Sequence, residues 1–232
     1  MFYKLNLCAA VSKKFKLTAD LHPSVSPLKS STHTIPSRRM IHHPKEWSEF
    51  ILIICSGLAS SSIALPDGRR QILLILLPGD IVFSAGLFEP ISGYSAEAIS
   101  EVTYRKFNRA DFNTLLFEYR DLFDMFTKIW SEDRAQADQL ALDLGRRTAV
   151  ERIARLILNL AKRLTERNMM DEQTMVFPFR QRHIGDATGL TPVHVSKVLA
   201  ELQRVGAIEI SNRFLKITDA AELHQIAGLR WR

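Results

Sequence analysis

Residues 181–199 read Gln-Arg-His-Ile-Gly-Asp-Ala-Thr-Gly-Leu-Thr-Pro-Val-His-Val-Ser-Lys-Val-Leu, a spacing able to hold a few side chains against the edges of base pairs. Two short helices that cross need apolar residues where they face, a very small residue where they nearly touch, and a glycine in the turn. Ile184, Thr188, Leu190, Val195 and Val198 fit the facing positions, Gly185 the contact and Gly189 the turn. Thr191 is placed to cap the second helix, with Pro192 at its first position, where a missing N–H costs nothing. Val193, His194, Ser196 and Lys197 then point outward from its first turn and a half, the part of such a helix that meets base edges in a major groove.

Side chains that read bases need neighbours that hold phosphates. Arg180, Arg182 and Thr191 flank the two helices. Residues 206–217 read as two short strands around a polar turn, a wing that puts Arg213 and Lys216 in reach of a backbone. The charge distribution agrees with this. Residues 1–145 hold 16 basic and 16 acidic side chains, leaving 15 of the chain's 31 and 9 of its 25 to residues 146–232, so the net +6 is entirely C-terminal.

Three kinds of element must carry that unit. From Arg38 to Phe107 short apolar runs alternate with turn signals. Strands are expected at Glu49 to Cys55, Leu58 to Leu65, Arg70 to Leu77, Ile81 to Ser84 and Ala98 to Lys106, with turns at Pro66-Asp67-Gly68 and Pro78-Gly79-Asp80. Beyond Asn108 the period becomes helical. One stripe runs through Leu115, Tyr119, Leu122, Phe126 and Ile129, with Leu140 further on, and a second through Leu116, Phe123, Trp130, Ala137 and Leu144. Two stripes are more than one sheet needs, so the first is assigned to a dimer interface. Gly145 is expected to end this helix in a left-handed cap, and another helix follows from about Arg146 to Arg167.

These readings give an α+β chain. A flexible N-terminal arm covers 1–36, an antiparallel β-roll of sensor type 37–107, a helical dimerisation segment 108–145, and a winged helix-turn-helix 146–232. The order resembles that of the transcription regulators grouped around the cyclic-AMP receptor protein and the fumarate and nitrate reduction regulator, the Crp/Fnr family, over residues 37–228. The likeness is strongest in Leu65-Pro66-Asp67-Gly68-Arg69-Arg70-Gln71-Ile72, Leu77-Pro78-Gly79-Asp80, Leu158-Asn159-Leu160-Ala161-Lys162 and the helix-turn-helix. It implies a homodimer on an inverted repeat of double-stranded DNA, with RNA polymerase as a further partner; the short apolar patch Leu7 to Val11 is followed by lysines and no small-residue cleavage site, so a cytoplasmic protein is expected.

The departures from that family shape the remaining expectations. Cyclic-nucleotide binders place a Gly-Glu pair and then Arg-Ser or Arg-Thr in the roll; here the stretch is Phe83 to Glu89 and then Gly93-Tyr94-Ser95-Ala96, with no arginine before Ser95. A buried phosphate would lack a charged partner, so no cyclic nucleotide is expected. Cys8 and Cys55 cannot supply the four thiolates of an iron–sulfur cluster. Haem stays open through His22, His33, His42 and His43, and no cofactor is assigned. The family's recognition-helix Glu and Arg are here Val193 and Lys197, which alters the expected base preference.

No Gly-rich phosphate loop, nucleophile elbow or zinc-ligand spacing occurs, so an enzyme is not expected. The longest apolar run, Ile72 to Leu77, is far short of the roughly 18 residues of a membrane span. The rival to a DNA reader is a ligand-binding or protein-interaction module whose helix-turn-helix touches only protein.

Overall fold

The computed structural model describes residues 29–82 and 91–229. The chain divides into two compact units, the first made of the residues up to Gly68 and Leu73–Ala135, the second of Arg69–Ile72 and Gln136 to the C-terminus.

In the first unit two antiparallel sheets face each other. One has the order β1-β7-β3, from β1 (Ser30–Ile35), β7 (Val102–Asn108) and β3 (Phe50–Ser56). The other is ordered β2-β6-β4-β5, from β2 (Met40–His42), β6 (Ser95–Ala98), β4 (Ala59–Ala64) and β5 (Arg70–Leu76). Alternation along β3 divides its apolar residues between two cores. Leu52 and Ile54 join Ala59, Leu76, Ala96, Val102 and Tyr104 between the sheets, while Ile51 and Ile53 face the helices.

Three expectations are corrected here. Ser30–Ile35, assigned to the flexible arm, is a strand paired with β7 from Ser30 opposite Phe107 to Ile35 opposite Val102; residues 1–28 lie outside the described residues. Its composition, Ser-Ser-Thr-His-Thr-Ile, lacks a buried alternation because the strand forms the edge of its sheet. The single strand expected from Ala98 to Lys106 is two, β6 and β7, with the chain turning at Ile99 to Glu101. Ile81 makes only an isolated bridge to Ile53, and Ser84 lies outside the described residues.

The helical segment also differs. It is broken at Tyr119, whose extended backbone separates α1 (Arg109–Glu118) from α2 (Arg120–Arg146). The break lets Phe112 and Leu116 of α1 and Phe126 of α2 enter one cluster, with the Phe112 and Phe126 rings 5.3 Å apart, edge to face. Leu115, Tyr119 and Ile129 pack on that same cluster, and Phe126 retains 0% of its surface. The first stripe therefore covers the protomer's own roll, and Phe126 is withdrawn from the dimer interface. Leu140 is half-buried, and the side chain of Leu122 lies outside the described residues. Gly145 is no cap: it sits inside α2, which continues to Arg146.

Candidate nucleic-acid interface

The second unit is built on α3 (Ala149–Thr165). Thr148 caps it reciprocally: Glu151 N–H donates to Thr148 Oγ1 at 3.4 Å, and Thr148 N–H donates to Glu151 Oε2 at 2.7 Å. That backbone hydrogen bond, then the one from the Thr148 hydroxyl, holds the Glu151 carboxyl below its ordinary range, with Arg147 and Arg155 adding to the effect. Ile153, Ala154, Ile157, Leu160, Ala161 and Leu164 are buried, the face expected from their spacing.

Against this helix lie α4 (Gln181–Thr188) and α5 (Pro192–Arg204). Between them Gly189 takes a left-handed φ of 69°, and the Gly185 carbonyl accepts from the N–H groups of Gly189 and, at 3.0 Å, Leu190. Gly185 has no room for a side chain, since a Cβ there would lie 2.5 Å from the Leu190 carbonyl oxygen. Ile184, Thr188, Val195 and Val198 are buried as the spacing required, and Leu190 is half-buried. Thr191 accepts at its hydroxyl from His194 N–H at 3.3 Å, with Pro192 as the first helical residue. At the start of the first helix the Arg180 N–H donates to His183 Nδ1 at 3.3 Å.

The expected reading face is open. Val193 is 67% exposed, and His194, Ser196 and Lys197 are exposed beside it on the N-terminal part of α5. Val193 and Lys197 are four apart and so share one stripe.

The wing is a β-hairpin of β9 (Ile208–Ser211) and β10 (Phe214–Ile217), extended on its other side by β8 (Thr174–Val176), a three-residue strand not expected from the sequence. Asn212 and Arg213 have φ of 49° and 65°, the signature of a two-residue turn matched to strand twist. The Arg213 carbonyl accepts from Phe177 N–H at 2.7 Å, and Gln203 Oε1 accepts from Ile210 N–H at 3.2 Å, tying the wing to β8's exit and to α5. Gln203 was not legible beforehand, because its role depends on a hairpin seven residues away.

Among the phosphate candidates, Arg180, Thr191, Arg213 and Lys216 are exposed. Arg182 is exposed too, although its Nε lies 3.8 Å from Asp186 Oδ2 in the same helix, so a phosphate would compete with that carboxylate. Among the histidines, His42 is buried, and burial holds its pKa below the ordinary value against the opposing charge of Glu46. His33 stacks on Tyr104 at 5.5 Å, and His22 lies outside the described residues. Among the described residues no group of three or more His, Cys, Asp or Glu could hold a metal ion, and no helix is long and apolar enough to cross a membrane.

Two family models match the chain: a Crp-like helix-turn-helix domain over residues 151–226 and a cyclic nucleotide-binding domain over residues 32–119. The nitrogen fixation regulation protein FixK of Bradyrhizobium diazoefficiens is 34% identical over 167 residues, 71% of this chain and 68% of that protein. The transcriptional regulator LdrP of Thermus thermophilus is 34% identical over 174 residues, 74% of this chain and 84% of that one. The structure of FixK2 from Bradyrhizobium japonicum superposes with a TM-score of 0.79 at 28% identity, covering 88% of this chain and all of that one.

Proposed function

This chain belongs to the Crp/Fnr family of transcription regulators, and on that premise we propose that it is a cytoplasmic homodimer that reads an inverted repeat in duplex DNA. Each protomer lays α5 in the major groove, with Val193, His194, Ser196 and Lys197 on base edges and Arg180, Arg182, Thr191, Arg213 and Lys216 on phosphates. The observation that carries this reading is the open face of α5: four side chains able to touch bases, on a helix anchored by Val195, Val198 and Leu202 and flanked by exposed cations.

The partner copy docks on the side of α2 that the protomer leaves uncovered, where Ala137 and Ala141 are exposed four residues apart. RNA polymerase is the protein partner that membership of this family suggests. In the roll, Tyr94 stands before Ser95, and the Ser95 hydroxyl is already engaged by Ser62, 3.0 Å from its hydroxyl and 3.1 Å from its carbonyl oxygen. Together with the apolar filling between the sheets, this favours a roll that holds no cyclic nucleotide by an arginine-serine grip.

Selection of bound sequences from a random duplex pool tests the reading. The expected product is an inverted repeat with half-sites about one helical turn apart. No enrichment, together with no retardation of any duplex at low salt, would favour the rival interaction module, because phosphate contacts alone should retard DNA there. Repeating the binding with cell extract would reveal an effector.

A further inference from the structure

The last turns of α2 carry a charged cluster that base reading does not use. One oxygen of Asp143, Oδ1, accepts three N–H groups: Gln139 Nε2 at 3.0 Å, Arg147 Nε at 2.9 Å and Arg155 Nε at 2.7 Å. The donors come from the preceding turn of α2, from the connection that follows it and from α3. The side chains of Asp143 and Arg147 are 18% exposed and that of Arg155 is 11% exposed, so these pairs escape most of the screening that weakens surface ion pairs.

The cluster reaches further through its cations. Arg147 Nη1 donates to the Ala227 carbonyl at 3.1 Å, just beyond α6 (Ala220–Ile226), and lies 3.8 Å from Glu151 Oε1. Arg152 donates through Nε to the Arg147 carbonyl at 2.9 Å and through Nη1 to the Thr188 carbonyl, at the end of α4, at 3.2 Å. Only residue 147 lies between the end of α2 and the cap of α3, so the direction of the long helix depends on side chains that bridge the joint. Asp143 is the acceptor on which the bridge across that joint converges.

We propose that Asp143 is a positioning residue for DNA reading: it sets the angle between the last turns of α2 and α3, and hence the separation at which two copies that meet along α2 present their α5 helices. Without its carboxylate, two partly buried guanidinium groups lose the oxygen to which both donate, with only the more distant Glu151 carboxylate left beside Arg147, and the joint loosens. The inference rests on the homodimer and inverted repeat proposed above.

The test uses the full chain and the inverted repeat recovered by selection, together with versions whose central spacer is one or two base pairs longer or shorter. Each added pair moves and rotates one half-site, so the wild type should lose about 10-fold or more on altered spacers. Asp143→Ala should flatten that discrimination to within about 3-fold while leaving random-duplex binding unchanged. Arg155→Gln, which removes one donor and keeps the Asp143–Arg147 pair, should flatten it in part, and the double variant should be no worse than Asp143→Ala alone. The inference is overturned if Asp143→Ala, or Arg155→Gln where the alanine variant does not fold, keeps the wild-type spacing preference. It is overturned equally if specific and random binding fall together, as simple unfolding would give. A wild type that recovers no repeat, or ignores spacing, overturns the inverted-repeat reading itself.

Discussion

Gly185→Ala measures how tightly the two helices of the helix-turn-helix are coupled. In an exposed helix interior, alanine stabilises over glycine by about 1 kcal/mol. At this position the new methyl would lie 2.5 Å from the Leu190 carbonyl oxygen, whereas ordinary contact begins near 3.4 Å, so something must move by about 0.9 Å. The obstacle is backbone and cannot rotate away. Moving it displaces the Gly189-Leu190-Thr191 turn, and with it the hydroxyl that caps α5 and the carbonyl bonds that close α4.

Overpacking of this kind costs about 1–3 kcal/mol, which offsets the helix-propensity gain and leaves a net loss of about 0–2 kcal/mol. Gly145→Ala is the matched control. It lies inside α2 with no atom within 4 Å of an added Cβ, so the propensity gain should appear undiminished, at about 0.5–1 kcal/mol. Urea unfolding followed by circular dichroism gives both values from midpoint and slope. Gel shifts on the selected site should show Gly185→Ala weakened beyond its stability loss, because the displaced turn carries the reading face with it. Stabilisation by Gly185→Ala comparable to that by Gly145→Ala would refute the close-contact reasoning.

Three further outcomes follow from the same geometry. Lys197→Ala should cost about 1–3 kcal/mol on the preferred site and relax the base preference at one position per half-site; equal losses on specific and random duplexes would remove Lys197 from the base contacts. Arg213→Ala should weaken all duplexes alike and lower the slope of log affinity against log salt by about one per protomer, read by titration across several salt concentrations. Glu151 has a depressed folded pKa, so its cap contributes fully above the ordinary carboxylate value of 4.5 and is lost as pH falls through the lower folded value. The stability gap between wild type and Glu151→Gln, present at pH 7 in urea melts, should therefore narrow as the solution is acidified below that value.

The parts of this molecule that could be read in advance are those whose physics is local. A glycine under a carbonyl, a threonine and proline opening a helix, and a polar two-residue turn each specify themselves within a few residues, and the reading face of α5 follows from them. The edge strand Ser30–Ile35 was hidden because its partner is some seventy residues away and its own residues are polar. The Leu115-to-Ile129 stripe was visible as apolar but not as to what it covers: a period of seven looks the same whether the facing surface is a second helix or the outer side of the protomer's own sheet. The Asp143 cluster was invisible for the opposite reason. Each of its residues is an ordinary polar or charged surface residue until the turn after Arg146 folds α3 back beside it.

Two places where members of the family set a charged, forked side chain against a ligand, the roll of the cyclic-nucleotide binders and the recognition helix, are altered here, and the alterations point the same way. Tyr94 precedes Ser95 where an arginine would meet a phosphate, and Val193 and Lys197 replace a carboxylate and a guanidinium on the reading helix. Valine can meet a thymine methyl but cannot accept from cytosine, and an ammonium is a single point donor where a guanidinium would be bidentate. On the contacts proposed above, direct base readout supplies less discrimination per half-site. The balance must come from terms that do not depend on forked hydrogen bonds: phosphate contacts that fix register, the shape and deformability of the intervening duplex, and the distance between two rigidly held helices. A regulator that reads weakly at each half-site is more dependent on holding the two at the right separation, which gives the carboxylate at the end of α2 more to do than a surface ion pair would.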